Sequence, residues 1–199
     1  EDVCDLGLVG LNVLEEKRLA MLARGTTPRI EILQKLDFGR CRLSLAVPQE
    51  FVFEGLPSIA GRRIATTYPH VLARFLRENA ITAEIVTLSG AVEIAPRLGR
   101  ADLICDLVST GSTLTANHLR EVAIVLESQV CLVRTPVALP EVKADWVRRL
   151  LVRVDGVQQV RESKYIMLHA PRSALAQIAK LLPGSESPTV IPLDGTGDK

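Results

Sequence analysis

The stretch A-D-L-I-C-D-L-V-S-T-G-S-T-L-T-A-N, residues 101–117, decides how the rest of the chain reads. It opens as a buried strand, with Leu103, Ile104, Leu107 and Val108 apolar and two acids, Asp102 and Asp106, set into the run. It then breaks into Ser109-Thr110-Gly111-Ser112-Thr113, where every residue but the glycine carries a hydroxyl. Leu114 to Val122 reads as a short helix. Strand, hydroxyl-rich glycine turn and helix start together make an anion cradle: backbone N–H groups converge, the helix dipole favours negative charge, and hydroxyls donate further bonds. Gly111 permits a positive φ and close approach of the backbone to a phosphate. Asp106 repels a phosphate but accepts from sugar hydroxyls. A carboxylate beside a phosphate cradle is what a ribose 5-phosphate requires. The same residues also make an ordinary strand-to-helix turn with an N-cap, and the turn alone does not separate the two readings. It lacks the Gly-Lys-Ser/Thr ending of a Walker A loop and the three glycines of a dinucleotide fingerprint.

Upstream, V-C-D-L-G-L-V-G reads as a strand with a glycine exit, and L-N-V-L-E-E-K-R-L-A-M-L as the following helix. Asp5 lies between apolar neighbours, where a carboxylate needs a partner. Arg29–Leu36 and Cys41–Val47 read as strands around the hairpin signal Asp37-Phe38-Gly39. The second of them crosses into a second lobe. Arg62–Thr66 is a strand and His70–Asn79 an amphipathic helix, with Val71, Leu72, Phe75 and Leu76 on one face. Ala83–Leu88 is a strand, and V-E-I-A-P-R-L-G a helix on which Glu93 and Arg97 stand four apart. This β-α-β-α-β order predicts a mainly parallel sheet with helices on its faces. Ala123–Leu126 and Val130–Arg134 read as strands returning to the first lobe, so two crossings frame a cleft. Glu141–Val154 is a helix with the stripe Val142, Trp146, Leu150 and Leu151, expected in a core or an interface. Lys164–His169 and Thr189–Leu193 read as strands around a helix at Arg172–Leu182.

The 199 residues are 47% apolar and 24% charged, with a net charge of +1, which gives no bias toward nucleic acid or acidic membranes. No apolar run reaches the ~18 residues of a membrane span. Cys4, Cys41, Cys105 and Cys131 sit in apolar runs without metal-type spacing, so buried free thiols in a cytoplasmic protein are expected. His70, His118 and His169 show no ligand spacing.

From Glu93 the chain reads E-I-A-P-R-L-G-R-A-D-L-I-C-D-L-V-S-T-G-S-T-L. This closely resembles the signature of the ATP phosphoribosyltransferases, the first enzymes of histidine biosynthesis. The fixed positions are filled by Glu93, Gly99, Ala101, Ile104, Asp106, Leu107, Thr110, Gly111, Thr113 and Leu114. D-L-G-L-V-G-L-N-V-L-E-E, L-D-F-G-R-C-R-L-S-L-A-V-P, R-I-A-T-T-Y-P-H and R-E-S-K-Y-I-M-L-H-A-P extend the resemblance over nearly the whole chain. The last of these is similar to the long, histidine-regulated form.

The resemblance implies an α/β fold of two lobes, like the type II periplasmic binding proteins, with a cleft and a double-crossing hinge. Residues 1–43 and 122–160 would form the first lobe, and 44–121 the second with the phosphoribosyl-pyrophosphate loop. Residues 161–199 would open a partial ferredoxin-like α+β regulatory domain that binds L-histidine. Further chain is expected before Glu1 and after Lys199. The reaction implied joins adenine N1 of ATP to C1 of phosphoribosyl pyrophosphate (PRPP), with pyrophosphate leaving and Mg²⁺ as cofactor. PRPP would lie on Asp106, Leu107, Val108, Ser109, Thr110, Gly111, Ser112 and Thr113. Asp5, Tyr68, Glu93 and Arg97 would form or support the purine site. No general acid or base and no protein ligand of the metal is assigned. ATP, PRPP, inhibitory L-histidine and further copies of the chain, as dimers and hexamers, are the implied partners; neither nucleic acid nor membrane is. Two other classes compete: a non-catalytic two-lobe ligand-binding or sensor module, and a purine-salvage transferase. The latter usually carries paired acids before its Thr-Gly turn, whereas Cys105 precedes Asp106 here.

Overall fold

The computed structural model describes residues 4–162, 164–183 and 189–191. The chain divides into two compact units, Glu1–Gln158 and Gln159–Lys199. The first unit runs β1 (Leu6–Gly10), α1 (Leu11–Ala23), β2 (Glu31–Lys35), β3 (Cys41–Pro48), β4 (Arg63–Thr66), α2 (Pro69–Glu78), β5 (Glu84–Thr87), β6 (Leu103–Val108), α3 (Ser112–Ala116), β7 (Leu119–Ser128) and β8 (Val130–Arg134). Helix α4 (Glu141–Glu162) follows and reaches past the unit boundary; α5 (Leu175–Leu181) belongs to the second unit.

The strands form two sheets, one of three strands in the order β1-β8-β2 and one of five in the order β5-β4-β6-β3-β7. In the larger sheet β4 pairs in parallel with β5 and β6, while β3 is antiparallel to both β6 and β7. The mainly parallel sheet expected from the element order therefore holds only for three of its strands. Residues Leu43, Leu45 and Val47 of β3 point into a core covered by α2, where Ile59, Ile64, Val71, Leu72, Leu103 and Cys105 are fully buried. Ala46, Ile104 and Val108 point to the opposite face and meet Val92, Ala95, Leu114 and Leu119. The mostly apolar β3, buried over Leu43–Val47, is thus a central strand covered on both faces.

Several local expectations give way to this arrangement. Asp37 and Gly39 take the positive φ of a turn, 56° and 60°, yet β2 and β3 are not a hairpin. Leu36 N–H donates to Val130 O and Val130 N–H to Phe38 O, which ties the turn to β8, while β3 enters the other sheet. Ala123–Leu126 do not leave the larger sheet, because β7 continues to Ser128 beside β3. Val92–Gly99 makes a 3₁₀ turn at Val92–Ile94 and further turns, not a helix; Ala91 and Gly99 have φ of 50° and 64°, and Pro96 lacks the N–H a helix needs. The helix expected at Leu114–Val122 ends at Ala116, and left-handed His118, φ 57°, turns the chain into β7. Lys164–His169 forms no strand, nor do residues 189–191; the remainder of that second expected strand, 192–193, lies outside the described residues. On α4, Trp146 is 70% exposed and Val142 71%, so of the two expected places for the stripe, core or interface, these residues do not take the core. Cys105 and Cys131 are buried free thiols as expected, but Cys4 is exposed and Cys41 half-buried.

Helices α1 and α2 are capped from a distance. The first N–H groups of α1 donate to Gln129 O at 2.9 Å and, from Asn12, to Ser128 Oγ at 3.0 Å. Ser128 Oγ donates back to Asn12 Oδ1 at 2.8 Å, and Asn12 Nδ2 donates to Tyr68 Oη at 2.8 Å. Glu16 then caps α2: its carboxylate accepts from His70 N–H and Val71 N–H and stands 2.6 Å from His70 Nδ1. A carboxylate at a helix N-terminus meets both orphan donors and the positive end of the dipole. Glu15 also reaches Arg74 of α2 at 3.0 Å.

Gly10 is required by this network. A Cβ there would stand 2.5 Å from Asn12 Oδ1, which Ser128 holds in place. Gly10→Ala should break the Asn12–Ser128 bond and cost about 1–2 kcal/mol, lowering Tm by ~2–8 °C for a chain of this size. In an Asn12→Ala background the same change should cost much less; equal costs in calorimetry of the double-mutant cycle would exclude the steric cause.

Candidate functional site

Strand β6 delivers Asp106 to the sheet face that carries Ile104 and Val108, since alternate residues share a face. Asp106 is half-buried, its Oδ1 accepting the N–H of Leu107 at 2.8 Å. Burial pushes its carboxyl above the usual carboxylate range, the Leu107 N–H opposes this, and the charge of Glu93 pushes it further up. The turn after β5 therefore brings Glu93 to Asp106, although the helix expected around Glu93 does not form. Arg97 is exposed and makes no ion pair with Glu93.

Beyond Val108 the chain turns out of the sheet. Ser109, Thr110, Ser112 and Thr113 are exposed, and Gly111 has φ 84° and ψ 0°. Thr110 Oγ1 lies 3.1 Å from Ser112 Oγ. Gly111 O accepts from Thr115 N–H at 3.1 Å, which starts α3. The N–H groups of Thr110, Gly111, Thr113 and Leu114 meet no acceptor among the described residues. Free amides, hydroxyls and a left-handed glycine together form the concave donor set that binds anionic oxygens. Val108 is buried beneath the loop and Leu107 points to the other face, so these two offer only main-chain groups.

Three polar side chains that sequence reasoning passed over share the face of Asp106. Ser44 pairs with Asp106 across β3 and β6, Arg42 with Val108, and Ala46 with Glu121 across β3 and β7. Arg42 binds Glu121 through Nε and Nη2, both at 2.5 Å, and Ser44 Oγ donates to Glu121 Oε1 at 2.8 Å. The hydrogen bond from Arg42 holds the Glu121 carboxyl below its ordinary value, against its partial burial. Arg42 Nη1 donates to Ser109 O at 3.3 Å, at the start of the loop. The signal was present: Arg42 and Ser44 are the polar pair at alternate positions of an otherwise apolar strand. Nothing local, however, links them to Glu121.

The remaining expected residues are dispersed. Tyr68 is half-buried against the α2 core and its hydroxyl is held by Asn12. Burial raises its phenol above the ordinary value, and Asp106 is among the charges that add to this. Asp5 is not enclosed by apolar neighbours; its carboxylate binds Lys143 of α4 at 2.7 Å. No group of three or more His, Cys, Asp and Glu that could hold a metal gathers among the described residues. No described helix is long and apolar enough to cross a membrane.

Comparison with known proteins adds to this geometry. The family model described as ATP phosphoribosyltransferase matches residues 1–156, and that described as HisG, C-terminal domain, matches 161–198. A chain of the ATP phosphoribosyl transferase (HisG:HisZ) complex from Thermotoga maritima is 30% identical, over 78% of this chain and 71% of that one, with a TM-score of 0.62. The alkanesulfonate-binding protein SsuA from Xanthomonas axonopodis pv. citri, bound to MOPS, is 17% identical over 79% of this chain and 56% of its own, with a TM-score of 0.51. Protein AF1704 from Archaeoglobus fulgidus is 13% identical over 80% and 60%, with a TM-score of 0.50. These last two share the fold alone.

Proposed function

The chain belongs to the ATP phosphoribosyltransferase family of histidine biosynthesis, with its periplasmic-binding-protein-like α/β fold, and from that premise we propose how its own residues take part. The loop Ser109–Thr113 holds the 5-phosphate of PRPP through the free amides of Thr110, Gly111 and Thr113 and the hydroxyls of Thr110, Ser112 and Thr113. Asp106 accepts hydrogen bonds from the ribose hydroxyls. Glu93 supports Asp106 from the preceding turn. The observation that carries the reading is the set of unpartnered loop N–H groups directly beyond a half-buried carboxylate.

The transfer forms a bond from adenine N1 to ribose C1 while the bond from C1 to pyrophosphate breaks. Adenine N1 attacks with its own lone pair, so alignment and charge stabilisation are the main demands, not a general base. Bound with the substrate, Mg²⁺ would supply charge neutralisation for the leaving pyrophosphate. Mg²⁺ suits one or two carboxylates with substrate oxygens completing its shell, and Glu93 with Asp106 is such a pair. Tyr68, beside the loop strand, and Arg97, exposed within the signature, belong to the purine and pyrophosphate sides.

The match of residues 161–198 to the family's C-terminal domain supports feedback inhibition by L-histidine through the second unit. Assembly with further copies of the chain, as dimers and hexamers, is supported by apolar residues left exposed along α4, among them Val142, Trp146 and Val157. A biosynthetic role supports a cytoplasmic location. Incubation of the full chain with ATP, PRPP and Mg²⁺ should yield phosphoribosyl-ATP and pyrophosphate, with less product when histidine is added. Ligand binding without turnover would return the two-lobe binding module.

A further inference from the structure

From the Arg42–Glu121 pair we infer a positioning function for Arg42: held by Glu121, it sets the direction of the Ser109–Thr110 peptide and so aims the Thr110 N–H into the phosphate loop. This inference rests on the reading of that loop as the PRPP 5-phosphate site. The guanidinium forks onto Glu121 with Nε and Nη2, each at 2.5 Å, and Ser44 holds the same carboxylate at 2.8 Å. A guanidinium is planar, so its fork of Nε and Nη2 on one carboxylate leaves Nη1 on the other side, where it donates to Ser109 O at 3.3 Å. A trans peptide is planar, with its C=O and N–H pointing opposite ways. Fixing the Ser109 carbonyl toward Arg42 therefore turns the Thr110 N–H away from it, and that N–H has no acceptor on the protein among the described residues. The orientation of this peptide is set by ψ of Ser109 and φ of Thr110, and both residues are exposed, so without Arg42 it would be free to rotate. Arg42 removes that freedom before the substrate arrives, which is preorganisation of a donor rather than a contact with substrate. Glu121 reaches Arg42 from β7 and has no bond to the loop itself, so it acts only through Arg42.

Steady-state kinetics of the full chain tests this with Arg42→Gln, Glu121→Gln and Thr113→Ala. Both Arg42→Gln and Glu121→Gln should raise KM for PRPP about tenfold, with KM for ATP unchanged and kcat much less affected. A purely structural pair would lower Tm and leave the two KM values in their original ratio. An increase with Arg42→Gln but none with Glu121→Gln would mean that Arg42 touches the substrate itself, and would overturn the positioning function. If Thr113→Ala raises KM for PRPP while neither of the other variants does, the loop reading stands and this inference fails. If Thr113→Ala also has no effect, the loop reading fails and takes the inference with it.

Discussion

Gly111→Ala should lower kcat/KM for PRPP by about one hundred-fold while moving Tm by only a few degrees. The space is available: a Cβ at position 111 would come no nearer than 4.0 Å to Val108 Cγ1. The obstacle is the backbone, at φ 84° and ψ 0°. An L-residue held in the left-handed region costs about 1–2 kcal/mol, and an exposed loop escapes that cost by moving. Its movement displaces the Thr110, Gly111 and Thr113 amides together, and misplacement by about 1 Å is enough to cost two orders of magnitude in rate. KM for ATP should change far less. Saturation kinetics in both substrates, with calorimetry of the same preparation, separates the effects. A large drop in Tm with unchanged kinetics would mean that the loop serves the fold and not the substrate.

Asp106→Asn should act in opposite directions on activity and stability. Losing an ionised acceptor for ribose hydroxyls removes charge-assisted hydrogen bonds of about 1.5–3 kcal/mol, hence a fall of roughly 10- to 150-fold in kcat/KM for PRPP. Stability should rise at neutral pH. Burial, with Glu93 adding to it, raises the Asp106 carboxyl in the folded protein. A carboxyl raised on folding contributes stability that is fully present below its unfolded value, about 3.9, and is lost as pH rises through the folded value. At pH 7 the wild-type protein therefore carries a strained charge that the amide removes, so the variant melts higher. The difference should vanish at pH values below about 4, where the wild-type carboxyl is protonated in both states. A variant that melts lower at pH 7 would show that Asp106 is a structural acceptor.

Much of this site is legible in the primary structure because its chemistry is local. Asp106 and the Ser109–Thr113 turn lie within eight consecutive residues, and strand, turn and helix start succeed one another along the chain. The turn also announces its own conformation, since a glycine among hydroxyl residues favours positive φ. What escaped the reading depends on pairing between distant segments. Arg42 and Glu121 are 79 positions apart and meet only because β3 lies antiparallel between β6 and β7. The same long-range pairing undid the expected hairpin, because Leu36 and Phe38 bond to Val130 and not across to β3. Asn12 reads as a helix residue, yet its buried side chain joins Ser128 and Tyr68, 116 and 56 positions away. The lost helix around Glu93 has a local cause that was visible in Pro96 and Gly99; apolar periodicity concealed it.

Isothermal titration of the full chain with PRPP and Mg²⁺, beside Thr113→Ala, tests the assignment of the 5-phosphate to the loop most directly. Removal of one hydroxyl from a charged acceptor is worth about 1.5–3 kcal/mol, so saturable binding by the wild type that weakens at least tenfold in the variant is expected. Equal affinity in the two proteins, or no binding by the wild type, would contradict it.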